Sequence, residues 1–171
     1  MAILDKFVEF ADAVSIAAAA GTANVGSQID KAVALVGLGD KMAPFLVITV
    51  DVAIVTGGAA GTVQFALVSD DTASISTTTR SVHLLTPLFV TDDDPTIPAG
   101  TVLFCGQMPV CADFVSKSVA GVPVTTGAGA PYERYLGIQC ITATTTTTAG
   151  TISAYLTLDP RNLRQYPDAQ N

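Results

Sequence analysis

Between Arg134 and Asp159 the chain carries no charged side chain, and its apolar residues alternate. Leu136, Ile138 and Cys140 share one face, then Ile152, Ala154, Leu156 and Leu158 share another. Residues two apart project from the same face of an extended chain, so the pattern predicts two strands, each with one face turned to a core. The stretch Thr144-Thr145-Thr146-Thr147-Thr148-Ala149-Gly150 between them reads as the turn of a β-hairpin. β-Branched residues stiffen the approach, and glycine supplies the freedom to reverse direction. A second hairpin is predicted upstream. There Leu46, Ile48, Val50, Val52 and Ile54 point one way and Thr49 and Asp51 the other; after Gly57-Gly58-Ala59-Ala60-Gly61 the series Val63, Phe65, Leu67 repeats the alternation.

Shorter apolar runs follow at 81–85, 101–105 and 110–115, separated by segments rich in Asp, Pro, Gly and Thr. Many short strands punctuated by turns predict an all-β fold, a β-sandwich or jelly roll with short helical pieces at most. Residues 1–171 read as one domain, long enough to bury roughly 70% of the surface of the unfolded chain. The first forty residues are ambiguous. Leu4, Phe7, Val8 and Ala11 fit a helical stripe, whereas Leu4, Val8 and Phe10 share the parity of a strand; 17–20 followed by Gly21 reads as a loop.

Composition narrows the function. With 49% hydrophobic and 13% charged residues the chain is unusually apolar. No run approaches the roughly 18 residues of a spanning helix, and the longest, 45–55, is broken by Asp51, so no membrane partner is expected. Part of the outer surface is instead expected to be covered by other protein. A net charge of −7 without a basic cluster gives no basis for contact with nucleic acid. Asp5, Lys6, Glu9 and Asp12 stand where an export signal needs a basic start and an apolar stretch, so synthesis in a cytoplasm is expected.

Little in the chain promises chemistry. His83 is the single histidine, which removes most catalytic triads and zinc sites; the reading is a partly exposed strand histidine whose neighbours Val82 and Leu84 share the opposite face. The three cysteines, Cys105, Cys111 and Cys140, match no metal-binding spacing and read as buried reduced thiols. Asp92-Asp93-Asp94 has the oxygens of a calcium loop, weighed against a solvated acidic loop stiffened by Pro95 and Pro98. The 57–61 segment lacks the Gly-Lys-Ser/Thr ending of a phosphate loop and leads into a strand. No catalytic, cofactor-binding or metal-ligating residue is assigned, and no enzyme is expected.

Several segments occur together in a telling order: Ile3-Leu4-Asp5-Lys6-Phe7-Val8-Glu9-Phe10-Ala11-Asp12-Ala13, a glycine-bearing turn after Val47-Ile48-Thr49-Val50-Asp51, then Glu133-Arg134-Tyr135-Leu136. Ala149-Gly150-Thr151-Ile152-Ser153-Ala154 and a closing Leu158-Asp159 with Tyr166-Pro167 complete the series. In that order and spacing the chain resembles the cement, or decoration, proteins of tailed-phage capsids over nearly its full length. The resemblance implies a non-enzymatic jelly-roll protein on the outer surface of the virion's capsid, bridging neighbouring copies of the major capsid protein and pairing with itself as a homodimer. The chain departs from the pattern at 92–131, which is longer and holds two of the cysteines. Segments 1–20 and 160–171 are candidate contact arms, with Ile3, Leu4, Phe7, Phe10, Arg161, Arg164 and Tyr166 as candidate interface residues. The counter-reading makes the N-terminal stretch the first strand, packed in its own sandwich. A glycan-binding jelly-roll module of a fibre or adhesin is the alternative function; a cupin-type enzyme needs clustered histidines that the chain lacks.

Overall fold

The computed structural model describes residues 8–34, 43–58, 61–92, 97–109, 115–119, 122–126 and 132–160. Among these residues eleven strands and one helical turn follow one another: β1 (Glu9–Ser15), β2 (Gly21–Asp30), α1 (Lys31–Ala34), β3 (Phe45–Thr56), β4 (Gly61–Asp70), β5 (Ser81–Leu85) and β6 (Phe89–Thr91). Then come β7 (Val102–Gln107), β8 (Val115–Val119), β9 (Val122–Thr126), β10 (Tyr135–Ala143) and β11 (Thr147–Thr157). One sheet, A, has the order β1-β11-β3-β7; the other, B, runs β2-β10-β4-β5-β8-β9, with β6 beside β4. All pairings are antiparallel. The protein is an all-β sandwich with a jelly-roll-like strand order.

β3, β4, β10 and β11 are where the alternation puts them, but their partners are not. β10 lies in sheet B between β2 and β4, and β11 lies in sheet A between β1 and β3, so the two form no hairpin. β3 and β4 are divided between the sheets in the same way, and so are β1 and β2. Each of the two expected hairpins is therefore an arch that crosses from one sheet to the other, with its strands packed face to face. Both arrangements bury the same alternate residues, which is why periodicity does not separate them.

The core fills the space between the sheets. From sheet A it takes Phe10, Leu46, Ile48, Val50, Ile54, Ile152, Ala154 and Leu156; from sheet B, Val25, Val63, Phe65, Leu67, Leu136, Ile138 and Cys140. Leu158 departs from the expected series: β11 ends at Thr157, and Leu158 is 51% exposed. Val52 departs as well, at 51% exposed between buried Val50 and Ile54. Its cause is a pair of register shifts. β3 spends three residues from Val52 to Val55 where β11 spends two, and two from Val50 to Val52 where β11 spends one, so the parity flips and then returns.

The turn chemistry also differs from the expectation. In the β10–β11 arch the left-handed position is Thr144, with φ 75°, whereas Gly150 lies inside β11. Gly150 has a positive φ of 136°, and a side chain there would meet Ile16 and Ile54 at 3.2 Å, so this glycine answers to its backbone conformation and close packing within β11 rather than to the reversal.

A second, smaller core covers the outer face of sheet B. The 71–80 segment folds back over it and seats Ile75 against Ala66, Val68 and Val82. Asp70 organises this segment by accepting from the amides of Thr72 (3.1 Å) and Ser76 (2.9 Å). Burial opposes its charge, yet those amides hold its carboxyl below the usual carboxylate range.

Candidate functional site

The sandwich ends differently at its two poles. The β1–β2 and β10–β11 arches, at 16–20 and 144–146, and Gly57 just after β3 gather at one pole and are tied together by backbone and threonine groups. Gly57 N donates to Thr146 O at 3.0 Å, Thr147 and Ala18 exchange both backbone bonds at 2.9 and 3.1 Å, and the Thr91 hydroxyl donates to Ile54 O at 3.0 Å.

Titratable groups collect at the other pole. His83 is not a partly exposed strand residue: it is only 5% exposed. The ladder explains why. Leu84 faces Leu67 and Val82 faces Val68, so His83 is the extra residue of a β-bulge, and the simple parity between 82, 83 and 84 is lost. The ring sits 2.6 Å (Nε2) from Ser69 Oγ and packs on the Tyr132 ring with centroids 4.0 Å apart. Ser69 Oγ also accepts from Glu133 N at 3.1 Å, and Ser81 Oγ donates to the Glu133 carboxylate at 3.2 Å. Lys31 Nζ donates to Tyr132 O at 2.6 Å and lies 5.5 Å from that ring's centroid. Outside them Arg134 donates twice to Asp30, at 3.0 and 2.8 Å.

Burial, with a smaller contribution from the Lys31 charge, pushes the His83 imidazole down to about 4. The ring is therefore neutral at pH 7. A hydroxyl against a neutral imidazole is the first half of a nucleophilic pair, but such a pair needs a group that orients the far nitrogen. Here Nδ1 has no partner among the described residues, and Ser69 is fully buried, which leaves a substrate carbonyl no line of approach to Oγ. The cluster closes the sandwich at this pole. Its signal in the sequence is modest: Asp30-Lys31 and Glu133-Arg134 put opposite charges side by side at the end of β2 and just before β10.

The other expected sites are dispersed. Phe10 is 1% exposed and packs in the core of its own sandwich, the placement that the counter-reading gives this residue. Ile3, Leu4, Phe7, Arg161, Arg164 and Tyr166 lie outside the described residues, as do Cys111, Asp93, Asp94 and most of the 110–115 run. Cys140 is buried, and burial lifts its thiol to about 11, but Cys105 is exposed, contrary to the expectation that all three thiols are buried. Among the described residues no group of three or more His, Cys, Asp or Glu is placed to hold a metal ion.

Two features of the surface suit contact with protein. Leu85, Leu88 and Val90 are 50–58% exposed. Leu85 is paired with Ala66 and Val90 with Thr62, both of the parity that faces outward on β4, so these two lie on the outer face of sheet B and, with exposed Leu88 between them in sequence, make an apolar strip along β5 and β6. β7 ends sheet A as an edge strand and carries neither charge nor proline over Val102–Gln107, two devices that commonly keep sheet edges apart. The exposure of Leu85 was hidden in the sequence, because it ends a run that reads equally well as core, and Leu88 and Val90 fall between the predicted runs.

Compared with models of known protein families and with curated proteins, the chain matches none.

Proposed function

We propose that this protein is a structural component of a tailed-phage head, a cement protein that binds the outer surface of the shell and bridges neighbouring major capsid subunits. The reading makes it a homodimer without enzymatic activity or cofactor. The observation that carries it is the exposed apolar strip of Leu85, Leu88 and Val90 on a rigid jelly-roll-like body. Leucine and valine at that exposure, grouped in one strip, suit a surface that another protein covers. The ordered resemblance of the sequence segments adds the kind of partner, and the uncharged edge of β7 adds a place for self-association. Cement action then follows from linkage. A protein that binds only the assembled shell adds RT ln(1 + [L]/Kd) per site, roughly 2.7 kcal/mol at a hundredfold excess over Kd, repeated over many sites.

The test is co-sedimentation with mature and with immature shells. The expected result is saturable binding to mature shells that is lost in Leu88→Asp/Val90→Asp, while the melting temperature of that variant stays near wild type. Absence of binding to either shell would overturn the reading.

A further inference from the structure

Among the described residues the free strand edges are those of β1, β2, β6, β7 and β9, and all but β7 carry a device that keeps strands of different molecules apart. β1 holds Glu9 and Asp12 and shifts register twice against β11. β2 ends in Asp30 and spends four residues from Val25 to Ile29 where β10 spends two, from Ile138 to Leu136. β6 is three residues long, and β9 contains Pro123, which has no N–H to give to a ladder. β7 has no charge and no proline. Its one irregularity lies at Leu103, where β7 spends two residues from Val102 to Phe104 against one of β3, and Phe104 to Gln107 pair with β3 in unbroken register.

The ladder tells which groups of β7 are free. Met108 N donates to Pro44 O at 2.8 Å, so Met108 turns its backbone toward β3, and by the alternation of an antiparallel pair Gly106 and Phe104 do the same. Cys105 and Gln107 therefore turn their N–H and C=O groups away from β3, and no described residue bonds to them there. Both side chains are exposed. Gly106 stands between them. A Cβ at that position would fall 2.6 Å from Phe104 Cζ, so the glycine lets the partly buried Phe104 ring lie along the strand at the rim of the core.

We infer that β7 pairs antiparallel with β7 of a second copy of this chain, about a twofold axis at Gly106, and joins the two A sheets into one. The outward groups allow a centre at Cys105 or at Gly106, and the centre at Gly106 keeps the bulge at Leu103 out of the seam. Cys105 then exchanges both backbone bonds with the partner's Gln107, and Gln107 with the partner's Cys105. At the axis Gly106 meets its own copy as a pair without hydrogen bonds, with Cα atoms about 4.5 Å apart and no side chain in the way. The two Phe104 rings come together beside it and cover the area each leaves open. The charge pattern selects this occupant. At a net charge of −7 two copies repel, yet β7 adds nothing to that repulsion, and a charged partner finds no ion pair on it. This deepens the homodimer of the proposed function and rests on that part of it; the Leu85, Leu88 and Val90 strip lies on the other sheet and stays open to the shell.

The experiment is sedimentation velocity of the full chain over a concentration series, with two double variants at exposed positions. Cys105→Lys/Gln107→Lys sets like charges directly opposite each other across the seam and should weaken the dimer about tenfold or more, with a melting temperature near wild type. Cys105→Lys/Gln107→Glu sets opposite charges there and should restore dimerisation. A wild type that stays monomeric, a dimer indifferent to the two lysines, or a lysine–glutamate variant as weak as the double-lysine one would each overturn the inference. Co-sedimentation with mature shells is read separately. A wild-type monomer that binds shells sinks the β7 pairing and leaves shell decoration standing, whereas a dimer with this charge pattern that binds no shell does the reverse.

Discussion

The two poles of the sandwich solve one problem, closing a dry core, with different chemistry. At the arch pole the crossing segments are sealed by backbone groups and threonine hydroxyls, such as Thr56 to Thr91 O at 3.2 Å and Thr145 to Gly57 O at 3.3 Å. At the opposite pole the closing groups are His83, Ser69, Glu133, Lys31 and Tyr132. The first kind of closure depends on shape and is indifferent to protons. The second is held by groups whose charge state matters, so the two poles should respond differently to acid even though both are fully folded at neutral pH.

A substitution in the core between the poles sets the scale. Leu156→Ala should cost about 2–5 kcal/mol in urea unfolding at any pH, through lost transfer energy and the cavity left behind. A smaller loss would show that the sheets close onto the gap.

Acid comes next in size. The folded His83 titrates near 4 and the unfolded one near 6.5, so the fold resists a proton that the unfolded chain accepts freely. Stability should be level above pH 6.5 and fall as the pH drops from 6.5 to 4. The full fall on account of His83 is about 3 kcal/mol. Asp70 adds its own loss at still lower pH, since its stabilisation disappears only as its depressed carboxyl is protonated. His83→Gln should flatten the profile between pH 6.5 and 5; an unchanged slope in that variant would mean that the titratable pole is not what responds.

Gly61→Ala probes the arch pole. The new methyl would fall 2.7 Å from Thr56 Cγ2 and 2.8 Å from Thr145 Cγ2, so overpacking should cost about 1–3 kcal/mol. The cost should be the same at pH 7 and pH 5, and a difference between them would break the contrast between the poles. The smallest effect is expected for Arg134→Ala. It removes a solvent-exposed ion pair with Asp30 outside the buried cluster, and its melting temperature should stay close to wild type.

Much of the molecule was legible as strands. The alternation at 46–54, 63–67, 136–140 and 152–156 marks strands and most of their buried residues, because the two-residue period belongs to the backbone and needs no partner. The absence of charge from 135 to 158 likewise announces that both strands there are deeply placed. The face reading failed at Leu158, which lies beyond the end of β11, and at Val52 and His83, and the last two failures have one cause. A bulge inserts a residue into the count, and its position depends on the neighbouring strand, which the local sequence does not contain.

Partnership was decided by tertiary structure alone. Hairpin and arch expose and bury the same side chains, so only the packing of the two sheets made β10 a neighbour of β2 and β4, and β11 a neighbour of β1 and β3. The candidate sites belong to the same category. Ser69 and His83 meet because β4 pairs with β5, and Glu133 reaches them from the start of β10. Period and composition are properties of neighbours along the chain, and the sequence carries them openly. A cluster joins residues distant along the chain, and it exists only once the two sheets have closed on each other.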